Sequence, residues 1–218
     1  MGTARGGVEE VFRAVARWRH ARALHPQGRR YRGVLQVAGS PSAGWPAGEG
    51  AWPLRARWSR ALGLPGGWPD GYGLALRVVA AGGPGTTLDL LLTSSGSGML
   101  SRHLPLLRAD PRRGVYSTLT SYRLPSGTRV LLAVPVAGGP TDTWRGRRLP
   151  LTLGLYAAGR TCAPQVLGTI RLTEQADDDD CSFDPYRHQL PQIHPTRRLA
   201  HLRARAYAGS REGRDADR

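Results

Sequence analysis

The sequence has no lysine. Each of its 31 basic side chains is arginine, and 16 Asp+Glu oppose them, for a formal charge of +15 over 218 residues. A cation excess of that size is on its face a nucleic-acid footprint. Phosphate-binding arms, however, mix lysine with arginine and cluster them. Here arginine is spread over the whole chain, a pattern that GC-rich codons produce without any binding function. The expectation is no nucleic-acid partner. The missing lysine also removes a Walker-type phosphate loop. No Gly-x-Ser-x-Gly elbow and no His/Asp cluster with dinuclear-metal spacing is present, which disfavours a hydrolase. Two cysteines, Cys162 and Cys181, cannot make a disulfide framework or a four-thiolate zinc site and are read as inert. No run of about 18 apolar residues exists, so neither a transmembrane span nor a membrane partner is expected. The N-terminus lacks the apolar stretch of a secretory leader, and the expected location is cytoplasmic.

What remains is an ordinary globular composition, 40% hydrophobic and 22% charged, in a length that suits a single domain over 1–218, with 1–7 and 215–218 flexible. With 29 glycines and 17 prolines, turns are frequent, which favours short strands over a helical bundle. Residues 8–21 read as a helix, because Val8, Val11, Phe12, Val15 and Trp18 form one apolar stripe, and His25-Pro26 ends it. Strands are expected at 31–37, 54–59, 73–80, 87–93, 128–136, 149–157 and 165–173, separated by Gly/Pro-rich segments. Within 54–59, Leu54, Ala56 and Trp58 fall on one face and Arg55, Arg57 and Ser59 on the other. Turn-bounded strands in that number indicate an antiparallel barrel or sandwich. The acidic run 177–180 reads as a solvated loop, without the spacing of an EF-hand. His188, His194 and His201 have no zinc-type partner spacing. After Pro195 the pattern turns helical again. Leu199, Leu202 and Ala206 make one stripe, and Arg203, Tyr207, Arg211 and Arg214 a second. That second stripe reads as a solvated basic face, or as a phenol whose pKa an adjacent guanidinium lowers until it can ligate iron as phenolate.

Taken in order, several short motifs resemble the haem catalase superfamily. Arg22-Ala-Leu-His25-Pro-Gln-Gly28, with Gly33 beyond it, is similar to the family's Arg-x-Val-His-x-x-Gly-x-x-x-x-Gly, Leu24 standing where the family has Val. Arg57-Trp58-Ser59, then Leu64 and Asp70-Gly-Tyr-Gly73-Leu-Ala-Leu, resemble Arg-Phe-Ser and Asp-x-x-Gly-Phe-Ala-Val. Asp89-Leu-Leu-Leu-Thr93 lies where catalases have Asp-Leu-Val-Gly-Asn. Phe183-Asp-Pro185 and Arg203-x-x-x-Tyr207 resemble Phe-Ser-Pro and the proximal Arg-x-x-x-Tyr. Each motif alone is weak; their order from about residue 22 to 214 carries the resemblance.

The resemblance implies a mainly β fold, an antiparallel barrel like the catalase core with an N-terminal and a C-terminal helix, binding haem b. His25 would act as acid and base toward peroxide on the distal side, with Ser59 fixing its tautomer. Tyr207 would ligate the iron as a phenolate stabilised by Arg203. Arg22, Arg57 and Arg214 would hold the two propionates through charge-assisted pairs. Thr93 stands where the family carries a distal Asn, and the Phe residues that follow that Asn are missing. The chain is also too short for the family's wrapping segment and C-terminal helical domain. A more open pocket implies a haem-dependent peroxidase or weak catalase, acting on hydrogen peroxide or organic hydroperoxides with an unidentified electron donor. A homodimer is left open. The alternatives are a non-catalytic haem-binding or haem-sensing protein on the same fold, a hydroperoxide-rearranging or dioxygenase activity, and a basic polyanion-binding barrel.

Overall fold

Side chains alternate inward and outward along the long strands, and the inward set closes on itself. The computed structural model describes residues 28–37, 45, 48–63, 68–136, 149–160, 163–176 and 181–196. The helices expected over 8–21 and after Pro195, and the acidic run 177–180, lie outside the described residues. Ten strands are present: β1 (Gly28–Val37), β2 (Gly50–Arg60), β3 (Tyr72–Val79), β4 (Thr87–Ser95), β5 (Val115–Ser117), β6 (Tyr122–Leu124), β7 (Gly127–Pro135), β8 (Leu151–Ala158), β9 (Gln165–Gln175) and β10 (His194–Pro195). All seven segments expected from the sequence are strands. The three that sequence reading missed, β5, β6 and β10, are two or three residues long, too short to display a period.

Eight of the strands form a closed antiparallel barrel in the order β1-β2-β3-β4-β5-β7-β8-β9, with β9 returning to pair with β1. β6 makes a hairpin with β7, and β10 adds to β6. The mainly β, barrel part of the expectation is therefore met.

Register decides which face is buried. Leu54, Val78 and Leu88 lie opposite one another across β2, β3 and β4; so do Ala56, Leu76 and Leu90, and so do Trp58, Leu74 and Leu92. All are buried and join one core that fills the interior. Each fully buried leucine contributes about 1.5–3 kcal/mol relative to exposure. Where β1 meets β9 the register shifts between Arg32 and Gly33. A Cβ at Gly33 would run into the Arg171 carbonyl, so the barrel closes this tightly only because residue 33 has none. A smaller apolar cluster of Val130, Leu132 and Ala158, with Val115 and Tyr156 against it, sits on the opposite, outward face.

Candidate functional site

Of the residues expected to carry function, Arg57, Ser59 and Thr93 fall among the described ones. Arg22, His25, Arg203, Tyr207 and Arg214 lie outside them. The three that can be placed share the outward face of the barrel. Gly28, Ser59, Gly73, Thr93 and Ser117 form one row across β1 to β5, each opposite the next. Ser59 and Thr93 are thus two strand spacings apart, about 10 Å. The row is both small and polar, and Ser59, Thr93 and Ser117 are buried although they point away from the core. The Ser59 hydroxyl is placed 3.4 Å from the Gly73 carbonyl, a long hydrogen bond. Ser117 is held firmly, its hydroxyl donating to the Arg102 carbonyl and accepting from the Leu119 N–H.

Arg57 is one step along β2 from this row, on the same face as Ser59. It lies directly opposite Arg30 and opposite Ala75, which in turn faces Leu91. Its guanidinium passes over Gly28, where any side chain would push it aside. Two anchors of separate motifs, Gly28 and Arg57, therefore meet in space. Burial and then the neighbouring Arg30 cation lower the pKa of Arg57 below that of an ordinary guanidinium. Two cations opposed across adjacent strands repel, and an anion laid over them would relieve both the repulsion and the desolvation.

Further along the same face, Arg55 lies opposite Arg77 and Arg77 opposite Asp89. Arg77 grips the Asp89 carboxylate with Nε and Nη2, at 2.7 and 2.6 Å. Asp89 also accepts from the Asp184 N–H at 2.6 Å and lies 3.0 Å from His188 Nδ1. Arg77 donates to the Ser182 carbonyl and covers the Phe183 ring at 5.5 Å. The Asp89 and Phe183-Asp-Pro185 motifs are thus parts of one joint that seats residues 182–188 against β3 and β4. Sequence reading missed Arg77 and the role of Asp89 in this joint. The signal was available: 77 and 89 lie six residues either side of Gly83 in the turn, so a symmetric hairpin places them opposite each other.

Under the face, Trp58 points inward between Arg57 and Ser59. Its Nε1–H donates to the Tyr116 hydroxyl at 3.0 Å, and that hydroxyl donates to the Pro111 carbonyl. The rings meet edge to face at 5.5 Å. Burial pushes the Tyr116 phenol well above its ordinary pKa, so it is a structural hydrogen-bonding group. Among the described residues no three His, Cys, Asp or Glu side chains converge as a metal cluster.

Solved structures decide what kind of barrel this is. A fungal catalase superposes with a TM-score of 0.56 at 10% identity, over 84% of this chain and 58% of that one. A bacterial catalase superposes with a TM-score of 0.57 at 12% identity, over 96% of this chain and 60% of that one. The fold is catalase-like. At these identities the likeness extends to the fold alone, and the chain spans about three-fifths of the catalases it matches. No protein-family model matches the sequence, and no curated protein matches it.

Where it can be described, the donor set on this catalase-like barrel fits a carboxylate such as a haem propionate: the half-buried Arg57 with Arg30 opposite it is suited to one. Ser59, Thr93 and Ser117 are buried, and Ser117 lies under the Arg102 carbonyl. Among the described site positions, Thr93 is the one the resemblance would give as Asn, and the chain contains no asparagine at all.

Proposed function

We propose that this chain is a haem b-binding protein with peroxidase or weak catalase activity toward hydrogen peroxide or organic hydroperoxides. The observation that carries the reading is Arg57. A partly buried guanidinium opposed by Arg30, one strand position from the Ser59–Thr93 row of a catalase-like barrel, is suited to a propionate. In this reading Arg22 and Arg214 complete the propionate contacts, and Tyr207, kept anionic by Arg203, supplies the iron ligand. Bound haem supplies the redox chemistry on peroxide. The protein supplies proton handling: the neutral His25 imidazole takes a proton from one peroxide oxygen and delivers it to the other. Ser59 fixes the His25 tautomer, and Thr93 offers one hydroxyl donor where a carboxamide would reach further. The electron donor is a small organic reductant, the setting is cytoplasmic, and a homodimer is compatible with the reading.

Titration of purified protein with haemin, beside Tyr207→Phe, tests it. A saturable Soret band with high-spin charge-transfer bands in the wild type, lost or shifted in the variant, is the expected result. No saturable uptake by either protein overturns haem binding and leaves polyanion binding as the function to examine, by salt-dependent retention of DNA. A second reading, haem binding without turnover, is favoured by Thr93. It is the correct one if haem binds and His25→Ala changes no peroxide-consumption rate.

A further inference from the structure

Eight large apolar side chains are well exposed among the described residues, and six of them, Leu62, Trp68, Met99, Leu100, Leu106 and Leu107, belong to the two connections, β2–β3 and β4–β5, that leave the same end of the barrel. The excursion between β4 and β5, residues 96–114, carries four of these. It folds back on the β2–β3 connection, which carries the other two. Asp70 and Arg108 exchange backbone hydrogen bonds, and the Asp70 carboxylate accepts from the Leu62 N–H. Leu106 and Leu107 are thus brought beside the connection bearing Leu62 and Trp68. The exposures are large, 74% for Leu100 and 64% for Trp68. A concentration of this kind marks an interaction surface, whereas single exposed leucines need no explanation.

The charge around the patch says what it meets. Residues 96–114 include four arginines, Arg102, Arg108, Arg112 and Arg113, and one acid, Asp110. The guanidiniums of Arg102 and Arg108 are held by backbone carbonyls, those of Gly98, Gly159 and Ser95, which fix them without cancelling their charge. Arg112 grips both Asp110 carboxylate oxygens, at 3.0 and 2.9 Å, and Arg113 is 88% exposed with Asp110 at 3.8 Å, so the one acid is shared and Arg113 carries the accessible excess charge. A second copy is a poor occupant, because a two-fold contact would set this arginine-rich excursion against itself. Nucleic acid satisfies the arginines but offers nothing to Leu100 or Met99. A surface that is apolar below and anionic above satisfies both.

We propose that the 96–114 excursion, with Leu62 and Trp68, is a peripheral docking surface for an anionic lipid bilayer. The leucines and Met99 enter the acyl boundary, Trp68 lies at headgroup level, and the exposed Arg113, with the half-buried Arg108 and Arg112 near it, faces the lipid phosphates, while Arg102 is buried. The expectation of no membrane partner rests on the lack of a spanning run, and peripheral docking needs no such run. The proposal is independent of haem.

Sedimentation of the full chain with vesicles of phosphatidylcholine, with and without phosphatidylglycerol, tests it. The expected result is retention by the anionic vesicles, weakened by salt. Leu100→Ser/Leu107→Ser, at exposed positions and checked for native circular dichroism, should lower partitioning about tenfold or more. Arg112→Glu/Arg113→Glu should lower it comparably at low salt. Equal binding to both vesicle types overturns the proposal. So does undiminished binding by the leucine variant, which assigns retention to charge spread over the chain. A wild-type dimer that the leucine variant converts to monomer, with no lipid retention by either protein, overturns it in favour of a second copy.

Discussion

Asp89 and Asp184, 95 residues apart in sequence, meet at 2.6 Å, the buried carboxylate of one accepting the backbone N–H of the other. With Arg77 and His188 on the same carboxylate, this joint fixes where the chain runs after the last barrel strand.

Removing the acceptor leaves the Arg77 guanidinium, 15% exposed at its side chain, without its carboxylate. Asp89→Ala is expected to destabilise the protein by about 3–5 kcal/mol. Urea unfolding at pH 7 measures this. A cost within experimental error would show that the joint is solvated and not structural.

Arg57 carries the ligand prediction. Arg57→Gln should weaken haemin binding about tenfold or more, because a propionate loses its guanidinium partner. Burial and the Arg30 charge lower the folded pKa of Arg57, so its pH-dependent contribution appears only at alkaline pH, where deprotonation is easier in the fold than in the unfolded chain and adds to stability as pH rises. Thermal melts with and without haemin, run on wild type and variant side by side, read the stabilisation by ligand.

Tyr116 sets an alkaline limit. Its phenol is neutral in the fold well beyond the usual range, because burial opposes the phenolate. Burial likewise raises Tyr72. A group whose folded pKa is raised contributes stability that is fully present below its unfolded value of about 10 and lost as pH rises beyond it. Stability should therefore fall steeply above about pH 10. With no lysine in the chain, no ammonium titration overlaps that fall. Following phenolate absorbance near 295 nm against unfolding checks it. A buried class that ionises only as the fold is lost is expected. Tyr116→Phe should cost about 1–3 kcal/mol, since it strands the Trp58 N–H inside the core.

Thr93→Asn is the gain-of-function test. If a short hydroxyl limits peroxide handling, a carboxamide at this buried position should raise peroxide consumption by haem-loaded protein about tenfold or more. An unchanged rate would place the limit elsewhere.

The barrel was legible because its long strands bury one face. The alternation of Leu54, Ala56 and Trp58 with Arg55 and Arg57 holds in the burial of β2, and it breaks at Ser59, which is buried on the outward face. The row that unites Ser59 with Thr93 was not legible from periodicity. Side-chain alternation gives the face of each strand but not the register between strands, and only register sets Ser59, Gly73 and Thr93 in line. The motif order singled out Gly28, Arg57, Asp89 and Phe183 without saying what they touch. The structure gives the contacts: Gly28 lies under Arg57, and Asp89 and Phe183 meet through Arg77. His25, Arg22, Arg203, Tyr207 and Arg214 stand as sequence expectations, and the haemin titration addresses them.

The seam between β1 and β9 has a consequence for synthesis. β1 ends at Val37, whereas β9 begins only at Gln165. On a ribosome adding about 5–20 residues per second, β1 waits on the order of ten seconds for that neighbour. Throughout that time one edge of the nascent sheet is open to wrong partners. Yield in cells should therefore depend on holding chaperones more strongly than the stability of the finished barrel would suggest.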